Sequence, residues 1–130
     1  MFCIVYENKQ RENIKIIFKL HQIENKTGET SITLRANDIV YVECYSHELI
    51  IHTHNNEYIV KMTLKEFLNK VKKLNSFVQV HRAYVINMKY IYLKSKTMVQ
   101  MFNEDSKNAV PISRRYKRNL DKAYGEYLLS

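Results

Sequence analysis

The feature that most constrains this chain is a succession of short apolar or β-branched runs, each cut off by polar residues before it grows long. KIIFKL (15–20), SITL (31–34), DIVYVEC (38–44), ELIIHTH (48–54), EYIVKM (57–62), FVQVHRAYVIN (77–87), KYIYLKS (89–95), TMVQMF (97–102) and AVPIS (109–113) follow one another closely. Runs of this length and composition read as strands. Asn25-Lys26-Thr27-Gly28, Asn55-Asn56 and the stretch from Asn103 to Asn108 read as turns. The 77–87 run carries a break near His81. Pro111 has no ladder donor and suits an edge or a strand end.

One window changes period. Leu64, Phe67, Leu68, Val71 and Leu74 share a helical face, and Thr63 with Glu66 has the spacing of a capping box, so 63–74 is a predicted helix. The tail RRYKRNLDKAYGEYLL places Leu120, Tyr124 and Tyr127 on one side, the pattern of a terminal helix. The expected fold is therefore mostly β, small stacked antiparallel sheets of short strands with one central amphipathic helix and a C-terminal helix. Residues 1–14 read as an N-terminal arm or linker remnant and 15–130 as a single domain.

A chain of 130 residues can bury a core without a metal or disulfide staple. With 45% hydrophobic residues, two Gly and one Pro, it is neither disordered nor low-complexity. Its formal net charge of +8 implies an anionic partner. The excess is local. Residues 61–75 hold five Lys against one Glu, residues 105–122 hold six Lys or Arg against two Asp, and the rest balances at ten of each sign.

Cys3 and Cys44 have no zinc or redox spacing and fit a reducing, cytoplasmic setting. Charged residues interrupt the N-terminus, which excludes a usual signal peptide, and no run approaches a membrane span, so no membrane insertion is expected. No Gly-rich phosphate loop or nucleophile elbow is present, and no cofactor is implied. His52 and His54 lie on one strand face about 7 Å apart, but a metal site needs further ligands that no nearby cluster supplies.

Polar residues placed where strands end carry more information. Tyr45-Ser46-His47-Glu48 separates two strong strands, His81-Arg82 interrupts an apolar run, and Ser113-Arg114-Arg115-Tyr116-Lys117-Arg118 follows the last strand. Singly, each has a bland reading: a loop histidine, a satisfied core histidine, a solvated helix start. Together, three polar loops in a positive field suit DNA, where Lys and Arg neutralise phosphates and a few side chains reach base edges. Two alternatives remain open: an RNA-binding module using some of the ten tyrosines, and a nuclease with His47 and His81 as acid and base.

DIVYVECYSHELIIHT, FVQVHRAYVINMKYI and VPISRRYKRNL, in this order, resemble the LytTR family of bacterial DNA-binding domains. The matching positions are Asp38, Ile39, Tyr41 and Glu43; then His81, Arg82, Ala83, Tyr84 and Asn87; then Pro111, Ser113, Arg114, Arg115 and Tyr116. The resemblance spans roughly residues 15–120. It implies a non-enzymatic transcription regulator whose loops enter successive major grooves of double-stranded DNA at promoter direct repeats.

By position, the resemblance makes His47, Arg82 and Arg114 the base readers. Ser113, Arg115 and Lys117 become phosphate or neighbouring-base contacts, with Arg118 and Ser46 beside them, and His81 and Asn87 hold the central loop. It also implies a homodimer on DNA. A receiver domain in a longer parent response regulator of a two-component system, or a separate regulatory partner protein, would control it.

Overall fold

The structure, a computed structural model, is described for residues 14–20, 30–103 and 106–129. The β-branched runs form ten strands within those limits. β1 (Lys15–Lys19) and β2 (Ser31–Arg35) make a two-stranded ribbon. β3 (Ile39–Tyr45), β4 (Glu48–Thr53), β5 (Glu57–Val60), β6 (Phe77–His81) and β7 (Tyr84–Asn87) form a sheet in the order β5-β4-β3-β7-β6. β8 (Ile91–Lys94), β9 (Met98–Asn103) and β10 (Ser106–Pro111) form a third, in the order β10-β9-β8. Every pairing is antiparallel, as the short, turn-rich runs require.

The five-stranded sheet is covered on both faces. On one, Ile39, Val42, Leu49, Ile51 and Val85 meet Phe18 and Leu34 of the ribbon and Leu64, Phe67 and Val71 of the region around α1 (Leu64–Lys70). On the other, Val40, Tyr41, Val80 and Ile86 meet Val99, Met101 and Val110 of the third sheet and Leu120 of α2 (Arg114–Leu129). Double coverage explains why the β3 run is nearly continuous in apolar residues instead of alternating. A bulge between Ile39 and Tyr41 turns Val40 and Tyr41 to the same core. Each fully buried Phe, Leu or Ile contributes about 1.5–3 kcal/mol of transfer free energy.

Helix α1 starts as predicted. Thr63 Oγ1 accepts from Glu66 N at 3.1 Å, and Glu66 Oε1 accepts from Thr63 N at 3.3 Å. The helix ends at Lys70, short of Leu74. Val71 is nonetheless buried and Leu74 packs on the same core. Apolar periodicity marks which residues face the sheet, and this continues through the turns that follow the last helical residue.

Two further readings are corrected, and the break expected near His81 is present. Met88–Tyr90 is a turn of 3-10 helix, capped by the Asn87 side chain accepting from Lys89 N at 3.1 Å, so the strand expected from Lys89 begins at Ile91. The supposed polar turn at 103–108 is mostly ladder: Asn103 ends β9 and Ser106 begins β10. The 77–87 run is two strands, β6 and β7, separated by Arg82–Ala83. The Asn25–Gly28 turn and residues 1–13 of the arm lie outside the described residues, while Ile14 O accepts from Ala36 N at 2.7 Å.

Candidate nucleic-acid interface

The three polar loops come together at one end of the central sheet. The first joins β3 to β4. Tyr45 pairs with Glu48, leaving Ser46 and His47 as a two-residue turn with φ of 50° and 67°. Positive φ at both positions matches the right-handed twist of a hairpin, and Asn-Gly usually supplies it. Here both residues carry a Cβ, which costs roughly 1–2 kcal/mol each in this region. The cost holds an exposed His47 at the apex, with Ser46 beside it, also exposed. Backbone strain kept at a loop tip is characteristic of binding sites.

The second loop is Arg82–Ala83, between the paired residues His81 and Tyr84. His81 Nδ1 accepts from Ala83 N at 3.1 Å, Gln79 Nε2 donates to His81 O at 3.2 Å, and the His81 ring meets Tyr84 edge-on at 5.5 Å. His81 thus folds the turn on itself and leaves Arg82 exposed. Because β3 and β7 are neighbours, the two turns lie side by side, joined where Cys44 N donates to Ala83 O at 2.8 Å.

The third loop is the start of α2. Ser113 N donates to Val80 O at 2.9 Å, which seats the helix against the end of β6. Arg114, Arg115 and Arg118 are exposed and Lys117 is half-buried. The first turn contains no acidic residue. Basic side chains therefore crowd the end of a helix that already carries the positive pole of its dipole. Ser113 occupies the cap position with its carbonyl accepting from Tyr116 N at 3.0 Å, while its Oγ is buried without a hydrogen-bond partner. Such a terminus suits an anion.

Across this end the order is His47, Arg82, Arg114, from the β3–β4 hairpin through the β6–β7 hairpin to α2. Asn87 is not among them. It lies at the opposite end of β7, buried to 2% exposure, where Nδ2 donates to Ile39 O at 2.9 Å. It ties β7 to the start of β3 and does not hold the central loop. His52 and His54 also part company: His54 packs edge-on against Tyr90 at 4.6 Å.

His52 belongs to a network that sequence reasoning missed. Its Nε2 is 2.8 Å from Glu43 Oε1, its Nδ1 is 3.3 Å from Glu57 Oε1, and its ring stacks on Tyr41 at 4.0 Å. The two carboxylates flank opposite edges of the ring and do not converge on a common point. Tyr84 OH donates to the other oxygen, Glu43 Oε2, at 3.3 Å. Burial, reinforced by the Glu43 charge, raises the Tyr84 pKa, and burial likewise raises that of Tyr41, with Glu43 adding to it. Both phenols stay protonated, and that of Tyr84 is the donor to Glu43. Partners nine and 41 residues apart leave no local signal.

The chain matches the family model for LytTr DNA-binding domains over residues 29–125. Sensory transduction protein LytR of Streptococcus mutans is 31% identical over 99 residues, covering 72% of this chain and 39% of that protein. Sensory transduction protein LytT of Bacillus subtilis is 27% identical over 104 residues, covering 78% of this chain and 43% of that protein. The chain thus spans about two-fifths of the length of these relatives. A solved LytTr DNA-binding domain of a Bacillus cereus response regulator superposes with a TM-score of 0.65 over 84% of this chain and 96% of that one, at 19% identity, and shares the fold. No helix among the described residues is long and apolar enough to cross a membrane. The family model runs through all three turns, from before β2 into α2, and the chain belongs to the LytTR family.

Proposed function

We propose that this chain is the sequence-specific, double-stranded-DNA-binding part of a bacterial transcription regulator and acts without catalysis. The observation that carries the reading is the meeting of His47, Arg82 and Arg114 on three adjoining turns at the basic start of α2. Arg115, Lys117, Arg118 and Ser113 contact phosphates, and a phosphate at the α2 terminus offsets the unfavourable clustering of cations there. Arg82 and Arg114 reach into the major groove, where each can take guanine O6 and N7 in a bidentate pair. His47, at the tip of a rigid hairpin, reads an adjoining step. Successive major grooves along promoter direct repeats are engaged by two copies of the chain, and a receiver domain or a separate partner protein supplies control, as the sensory transduction names of the relatives suggest.

In vitro selection of bound duplexes tests this. The expected product is a short repeated motif, bound with a log K against log salt slope near −4 to −5 if about five phosphates are neutralised. Random selected sequences and a flat salt response would sink it. The RNA alternative has one observation in its favour, the exposed rings of Tyr92 and Phe102, 6.4 Å apart on the third sheet. Those rings sit on strands that do not carry the basic turns, and competition of duplex DNA by single-stranded RNA separates the two readings. Intact plasmid after incubation counts against the nuclease, in which His81 would act with Nδ1 already engaged by Ala83 N.

A further inference from the structure

The half-buried Glu43 carboxylate bridges the two strands that leave the first two turns. One oxygen meets His52 on β4, the strand that starts just after His47, and the other accepts from Tyr84, the first residue of β7 after Arg82–Ala83. A carboxylate held between strands pays a desolvation cost that only directed hydrogen bonds offset. Buried polar networks of this kind specify geometry more than they add stability. Tyr84 is pinned at both ends, its hydroxyl by Glu43 and its ring edge by His81, the residue whose Nδ1 accepts from Ala83 N. Any shift of Tyr84 therefore moves the turn that carries Arg82. The backbone bond from Cys44 N to Ala83 O sets the spacing of the two turns but leaves their relative tilt to side chains.

We propose that Glu43 and the Tyr84 hydroxyl are a positioning pair that aligns the Arg82 turn with the His47 hairpin, and so sets base selectivity without contributing to phosphate affinity. This inference rests on the DNA-binding reading above. It assigns neither residue a DNA contact: both act through the turns they hold.

The test uses the full chain and the duplex recovered by selection. Y84F removes one hydroxyl and keeps the ring against His81. The expected result is a loss of about three- to tenfold in selectivity at one base pair, the fold-change of a single hydrogen bond, with the salt slope and scrambled-duplex affinity unchanged. E43Q keeps an acceptor for Tyr84 and restores near-native selectivity, whereas E43A does not. In the Y84F background, R82A removes less selectivity at that base pair than it does in the native chain. The proposal is overturned if Y84F keeps native selectivity, if it weakens selected and scrambled duplexes equally, or if R82A and Y84F act additively. A native chain that selects no duplex fails at the earlier step, and that result removes the functional reading itself.

Discussion

The region of α1 and the region leading into α2 carry the same surplus of positive charge, five basic residues against one acid in the first and six against two in the second. They are built in opposite ways. Helix α1 obeys the electrostatics of a helix: a closed Thr63–Glu66 box, an acid in the first turn, a lysine in the last. Helix α2 reverses them, with arginines at its positive pole, no acid in the first turn, and a cap-position serine whose hydroxyl bonds nothing. Equal charge thus has unequal meaning. Where local rules are satisfied within the chain, the charge is a solvated face; where they are broken, the proposed phosphate contact would complete them.

Substitutions in the two helices can break this contrast. The largest effect belongs to packing. Phe67→Ala, a fully buried ring against Phe18 and Phe77, is expected to cost about 3–5 kcal/mol in denaturant unfolding while base selectivity of the folded fraction is kept. Altered selectivity would tie α1 to recognition and erase the distinction.

Next, Arg114→Ala should cost about 1–3 kcal/mol of binding to a selected duplex and relax one position of the site. Lys72→Ala beside α1 should change binding only by the small background share of one distant charge. Equal losses in a titration of the two variants would show that charge alone is being read.

Thr63→Ala should then lower stability by about 1 kcal/mol, whereas Ser113→Ala should stay within about 0.5 kcal/mol, both measured by chemical unfolding of the free protein. The smallest effect on stability comes last. Arg115→Glu should change the stability of the free protein by no more than about 0.5 kcal/mol, because the acid gained at the helix start offsets the lost cation–π contact of Arg115 with the Tyr116 ring at 5.8 Å, and weaken duplex binding in the same preparation.

The parts of this molecule that follow from neighbouring residues were legible from the chain. Thr63 and Glu66 announced α1, β-branched runs announced the strands, and the polar interruption at His81-Arg82 announced a break that proved to be a complete hairpin turn. The break at Ser46–His47 was equally plain, but its positive φ was not, because neither residue is one of the glycines or asparagines that usually advertise it. Its conformation comes from the strands on either side. Asn87 misled for a related reason: a motif places residues in one block without saying which end of a strand each will occupy. The meeting of the three loops depends on two backbone bonds, Cys44 N to Ala83 O and Ser113 N to Val80 O, between residues far apart in the chain. Periodicity and propensity say nothing about such contacts.

Both hairpins that carry proposed base readers turn in two residues. An inserted residue would open such a turn to a three-residue loop with a bulge beside it, and so re-aim the side chain at its tip. Diversification that keeps the aim of these side chains is therefore an exchange of residues at fixed stations and not a change of loop length. Relatives with different targets should align without gaps from β3 into β4 and from β6 into β7, and length variation should collect in connections such as the one between β1 and β2.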